Sequence, residues 1–118
     1  MIDPQDENAY RSAILDWDEA GRGVHAEVLG LYKRLISLRS AEPDLTDPDL
    51  RNVHVDIDED ERWLVMHRGN LRVIANLSAS PRSIPVDAHD VVLTTGELEA
   101  GQGRVTIGAE SAAVVRVR

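Results

Sequence analysis

Three aspartates spaced two apart, Asp56, Asp58 and Asp60, open like a calcium-binding loop, in which alternate carboxylates converge on one hard cation. Such a loop needs glycine at its sixth position and a bidentate glutamate at its twelfth, where this chain has Glu61 and His67. The acids from Asp58 to Glu61 therefore read as a solvated turn between two strands. His25, His54, His67 and His89 are scattered, with no pair at the four-residue spacing that puts two imidazoles on one helix face, so zinc is not expected. Ser37, Ser40, Ser78, Ser80, Ser83 and Ser111 lack the glycine flanks of a nucleophile elbow. Gly21-Arg22-Gly23 and Gly101-Gln102-Gly103 are too short to cradle a phosphate and read as turns.

Carboxylates are plentiful, but acid pairs catalyse only when they face each other across a cleft with their pKa values driven apart. Tyr10, Trp17, Tyr32 and Trp63 have rings able to stack on sugars, yet they are not grouped on one strand face, and Trp63 opens an apolar run that belongs in a core. No catalytic, cofactor-binding or metal-ligating residue is assigned, and no cofactor is expected.

A net charge of −8 repels nucleic acid and anionic membranes, so neither is an expected partner. Cysteine is absent, which removes disulfides and thiolate chemistry and suits a reducing compartment. With no signal-like stretch or long apolar run, the chain is read as cytoplasmic. Asn76-Leu77-Ser78 matches a glycosylation acceptor and is taken as coincidental. At 118 residues, 42% of them hydrophobic, one domain's worth of chain can bury a core, built from Val, Leu and Ile because Phe is missing.

Two kinds of element must position these residues. Val24, Val28, Leu31, Leu35 and Leu38 recur at steps of four and three, predicting a helix over 24–40 that Pro43 cannot extend. Leu29, Tyr32 and Ile36 widen its apolar arc to nearly half the circumference, more than one neighbour requires, so two bodies are expected against it. A helix wrapped more deeply by its own sheet would show the same arc. Ahead of it, Asp3-Pro4-Gln5-Asp6 to Trp17 reads as a loop without a cap, and as the interior of a larger protein.

The turn-rich stretch 41–49 is the expected boundary, after which the period becomes two-fold. Val53, Val55 and Ile57 alternate with His54 and Asp56; Trp63 to Met66 is a short apolar run; Leu71, Val73, Ala75 and Leu77 alternate with Arg72, Ile74 and Asn76. Gly69-Asn70 marks a tight hairpin. With further strands at 83–86, 91–93, 104–107 and 112–118, about seven strands predict a mostly β fold: an N-terminal α-helix followed by a small antiparallel β-sandwich or related barrel.

The order Asp3-Pro4-Gln5-Asp6, Arg11-Ser12, Leu15-Asp16-Trp17, His25-Ala26-Glu27, Leu31-Tyr32, Leu35-Ile36, Arg62-Trp63-Leu64-Val65, Arg68-Gly69 and Val73-Ile74-Ala75-Asn76-Leu77 resembles the C-terminal end of the malto-oligosyltrehalose trehalohydrolase family, in the α-amylase superfamily of glycoside hydrolases. The likeness is dense to Leu77 and looser beyond. It implies that 1–40 is the end of a (β/α)₈ catalytic barrel, with its last helix, and that 41–118 is the C-terminal antiparallel β domain. It implies a parent that hydrolyses the α-1,4 bond next to the trehalose end, with an aspartate nucleophile, a glutamate acid/base and a further aspartate. No position here matches those three, so none is carried over, and the chain alone is expected not to be an enzyme.

Three roles follow as expectations. The leading one is a non-catalytic domain packed on the missing barrel, with Asp3 to Trp17 either near the parent's cleft or along the barrel's flank. The others are a module making weak α-glucan contact through an aromatic such as Trp63, and a structural protein forming a homodimer through the exposed helix face.

Overall fold

The computed structural model describes residues 5–118; Asp3 and Pro4 lie outside the described residues. The chain divides into two compact units, one ending at Ala41 and the other running from Glu42 to Arg118.

The first unit is helical. The segment read as an uncapped loop contains two short helices, α1 (Glu7–Ser12) and the 3-10 turn η1 (Trp17–Gly21). Each is capped by an aspartate: Asp6 accepts from the Asn8 N–H at 3.0 Å, and Asp16 from the Asp18 N–H at 3.0 Å. A short acid satisfying a free N–H two residues on is the ordinary N-cap arrangement, and it corrects the uncapped reading. The long helix α2 (Gly23–Ala41) follows, one residue longer at each end than its periodicity implied. η1 packs against it, but no α2 residue is buried.

The second unit opens with α3 (Pro43–Thr46), with proline in its first turn, and the 3-10 turn η2 (Leu50–Asn52). Eight strands follow: β1 (Val53–Asp58), β2 (Trp63–Arg68), β3 (Leu71–Asn76), β4 (Arg82–Ile84), β5 (Asp90–Thr94), β6 (Leu98–Gly101), β7 (Arg104–Ile107) and β8 (Ser111–Arg116). They form two antiparallel sheets, ordered β1-β2-β3-β8-β5 and β4-β7-β6. The predicted sandwich is present. β6 is the strand its sequence concealed: Leu98-Glu99-Ala100-Gly101 carries one strong apolar residue, and pairing of Leu98 with Ile107 makes it a strand.

Strand pairing sorts the side chains of the larger sheet. Asp56, Val65, Ile74 and Ala113 are aligned partners across four strands, as are His54, His67, Arg72 and Val115, so these residues share the inner face. The core forms where that face meets the smaller sheet, with Val65, Ile74, Ala113 and Val115 against Ile84, Val105 and Ile107. On the outer face Val55, Met66, Val73, Val114 and Leu93 are aligned across all five strands. β1 contributes nothing to the core, and its apolar residues Val55 and Ile57 are exposed, Ile57 by 65%.

Two polar devices hold the unit's ends. Buried Arg68 donates to the Asp44 carbonyl at 2.9 Å and the Asp47 carbonyl at 2.6 Å, while Arg116 pairs with Glu42 at 2.8 Å, fastening α3 to the sheet. Asn76, 1% exposed, donates to the carbonyls of Ser80 and Gly108, both at 2.8 Å, and accepts the Ser78 N–H at 2.9 Å. Its amide nitrogen ties the segment after β3 to the turn between β7 and β8, so the Asn76-Leu77-Ser78 triplet is a structural hub in the folded chain.

Candidate functional site

Strand register assembles what sequence spacing had scattered. The four-residue loop between β1 and β2 sets His54 opposite His67, and Asp56 lies two residues along the same face. His54 Nε2 is 2.9 Å from one Asp56 oxygen and His67 Nε2 is 2.7 Å from the other, with the two imidazoles edge to face at 5.2 Å. Hydrogen bonds from His67, and then from His54, hold the Asp56 carboxyl below the usual carboxylate range. The signal was present in the sequence as index arithmetic: a hairpin pairing 58 with 63 also pairs 54 with 67.

Beside this triad the inner face continues into a half-open cavity of about 360 Å³, bordered by Trp63, Val65, His67, Arg72, Asp87 and Arg118. Trp63 is half-buried and packs on the core, as its place at the head of an apolar run implied. Pro85 and Val86, just after β4, wall the far side.

The remaining candidates serve the backbone. Asp58 and Asp60 lie at and in the β1–β2 turn, where an Asp58 oxygen accepts the Glu61 N–H at 2.9 Å. Gln102-Gly103 forms the two-residue turn between β6 and β7, both residues with positive φ. Buried Ser78 and Ser111 donate to the carbonyls of Ser80 and Gly108 within their own turns. His89 is exposed and holds the chain before β5 through its N–H to the Arg116 carbonyl at 2.7 Å. In the helical unit, Trp17, His25, Val28, Leu29 and Tyr32 border an apolar hollow between η1 and α2, which brings two of the four aromatics together away from any strand. Asp47 and Asp49, which hold the turns before β1, are lowered in pKa, Asp47 mainly by the Asn52 side-chain hydrogen bond and Asp49 mainly by Arg51. No helix among the described residues is long and apolar enough to cross a membrane.

A helical lead-in followed by two antiparallel sheets of this order defines a C-terminal β domain of the α-amylase type. Isomaltulose synthase (PalI) from Klebsiella sp. LX3 contains the same fold, with a TM-score of 0.62 and 23% identity over 77% of this chain and 18% of that one. Trehalulose synthase MutB from Pseudomonas mesoacidophila MX-45 does so at a TM-score of 0.60 and 20% identity, with the same coverage. The family model of a domain of unknown function, DUF3459, matches residues 48–115, and the chain belongs to that family.

Over 114 residues it is 41% identical to malto-oligosyltrehalose trehalohydrolase of Mycobacterium tuberculosis (strain H37Rv), a match spanning 97% of this chain and 20% of the relative. The protein of that name from Rhizobium sp. (strain M-11) is 36% identical over 115 residues, 19% of its length. That from Deinococcus radiodurans is 30% identical over 117 residues. The chain thus spans about one fifth of the curated relatives it matches, corresponding to their C-terminal part.

Proposed function

We propose that this chain is the non-catalytic C-terminal region of a trehalose-releasing glycoside hydrolase and acts by packing on that enzyme's catalytic barrel. In this reading residues 1–40 complete the barrel with its last helix, 41–118 form the β domain behind it, and the reacting carboxylates belong to the rest of the parent. The enzyme would hydrolyse the α-1,4 bond next to the trehalose end of malto-oligosyltrehalose, in the cytoplasm.

The observation that carries the reading is the unburied apolar arc of α2. Val24, Tyr32 and Ile36 are all more than 60% exposed, on a helix long enough, at about 28 Å, to line one side of a barrel. The outer sheet face, with Val55 and Ile57 exposed, supplies a second apolar surface. Two such surfaces in a chain one fifth as long as its relatives fit a segment whose partner is the remaining four fifths.

The test is reconstitution. The N-terminal four fifths of the M. tuberculosis relative, produced separately, should form a one-to-one complex with this chain in light scattering, and Ile36→Glu should weaken it at least about tenfold. The chain by itself should leave malto-oligosyltrehalose intact. Hydrolysis above the buffer rate would overturn the non-catalytic assignment, and a tight homodimer that excludes the barrel would transfer the α2 face to self-association.

A further inference from the structure

We propose that β1 is a docking edge for a second copy of this chain. Two β1 strands pair antiparallel about a two-fold axis at Val55 and join two five-stranded sheets into one. The surface lies wholly in the β unit and uses no residue of α2.

An open strand edge is a template for another strand, and folded proteins usually guard theirs. Among the described residues the other sheet edges are guarded: β5 breaks register between Val91 and Leu93, β4 has three residues with Pro81 and Pro85 beside it, and β6 has four and ends in Gly101. β1 has none of these devices. Its six residues, without proline or glycine, pair with β2 in unbroken register, and Val55 and Ile57 are exposed.

The ladder shows which backbone groups are open. The Leu77 N–H donates to the Arg62 carbonyl at 2.9 Å, so even-numbered residues of β2 bond toward β3 and odd-numbered ones toward β1. The β1 partners of Trp63, Val65 and His67 are Asp58, Asp56 and His54, which leaves Val53, Val55 and Ile57 directed to the open side. The Val53 N–H is taken by the Leu50 carbonyl, so the open groups are the Val53 carbonyl and both groups of Val55 and Ile57. A two-fold axis at Val55 pairs these with their copies in about four hydrogen bonds.

Side chains select that register. Facing residues of antiparallel neighbours share a sheet face, so with Val55 opposite its copy, Val53 meets Ile57 and His54 meets Asp56. A shift of two residues one way sets Asp56 against Asp56, and the other way sets His54 against His54 and shortens the pairing. His54 and Asp56 are 71% and 50% exposed, and a carboxylate that already accepts from two imidazoles has lone pairs left for a third donor. The row Val55, Met66, Val73, Val114 and Leu93 then runs on into its copy across the joined sheet.

The experiment is light scattering of the Ile36→Glu chain, in which the α2 face is blocked, with amide hydrogen exchange at both ends of the concentration range. Between about 10 µM and about 1 mM the chain should pass from monomer to dimer, with a dissociation constant on the order of 100 µM. The Val55 and Ile57 amides should exchange freely in the dilute sample and slow at least about tenfold in the concentrated one. Val55→Pro should weaken the dimer at least about tenfold while the β1–β2 ladder persists, because the lost N–H serves no bond within the chain. His54→Asp should do the same by setting two acids opposite two acids, and an equimolar mixture with Asp56→Lys should restore a heterodimer. A monomer at about 1 mM, a dimer whose Val55 and Ile57 amides stay unprotected, protection already complete at about 10 µM, or growth beyond a dimer would each overturn the proposal.

Discussion

Ile36 on α2 and Ile74 on β3 are the same residue type, each within an apolar pattern, and they meet opposite fates: Ile36 is 64% exposed and Ile74 fully buried. Ile74 lies between aligned strand partners and beneath the smaller sheet, so every methyl group has neighbours from this chain. Ile36 has a helix to carry it and nothing among the described residues to bury it. Periodicity reports that a face is meant to be covered, and it is silent on whether the cover is part of the same compact unit.

The largest effect should come from the buried member of the pair. Ile74→Ala should cost about 3–4 kcal/mol in urea unfolding followed by circular dichroism at the β-sheet wavelength, the transfer loss plus a cavity between two sheets that cannot collapse. Ile36→Ala, by contrast, should change stability by less than about 0.5 kcal/mol, and a loss near that of Ile74→Ala would erase the distinction between the faces.

Nearly as large should be Asn76→Ala, at about 2–4 kcal/mol, because it leaves the buried Ser78 N–H without its acceptor and takes one of two donors from each of the Ser80 and Gly108 carbonyls. A value below about 1 kcal/mol would mean that water replaces the amide there.

Gly69→Ala should cost about 1–3 kcal/mol in the same assay. Gly69 has φ +52, and an added Cβ would overlap the Asp44 carboxyl that accepts the Asn70 N–H, so the change strains the β2–β3 turn and loosens α3 together.

The smallest expected effect is the acid response. Asp56, Asp47 and Asp49 all have depressed pKa values in the folded chain, so the stability they contribute is complete above the ordinary carboxylate value of 3.8 and is lost as pH falls through their lower folded values. Thermal unfolding temperatures should hold level down to about pH 5 and drop below about pH 4, less steeply in Asp56→Asn. All three carboxylates are in the β unit, so the helical signal should not share the drop.

How much was legible follows from whether the deciding interactions were local. The α2 stripe, the Gly69-Asn70 hairpin and the 104–107 strand were readable because period and turn chemistry act over a few residues. Asp6 and Asp16 as caps were overlooked although their signal, an acid just ahead of a short helix, is also local. β6 was hidden because its strand character comes from β7, and the reading of Val53, Val55 and Ile57 as a strand did not disclose that this apolar set faces away from the sandwich core.

By its sequence alone this chain determined its long helix, most of its strands and its likeness to one end of a glycosidase, since each is set by neighbours along the backbone. Only the tertiary structure decided which apolar face became core, and that His54, Asp56 and His67 meet beside Trp63. Both depend on strand register and on the order β1-β2-β3-β8-β5, which join residues far apart in the chain through hydrogen bonds no local pattern encodes.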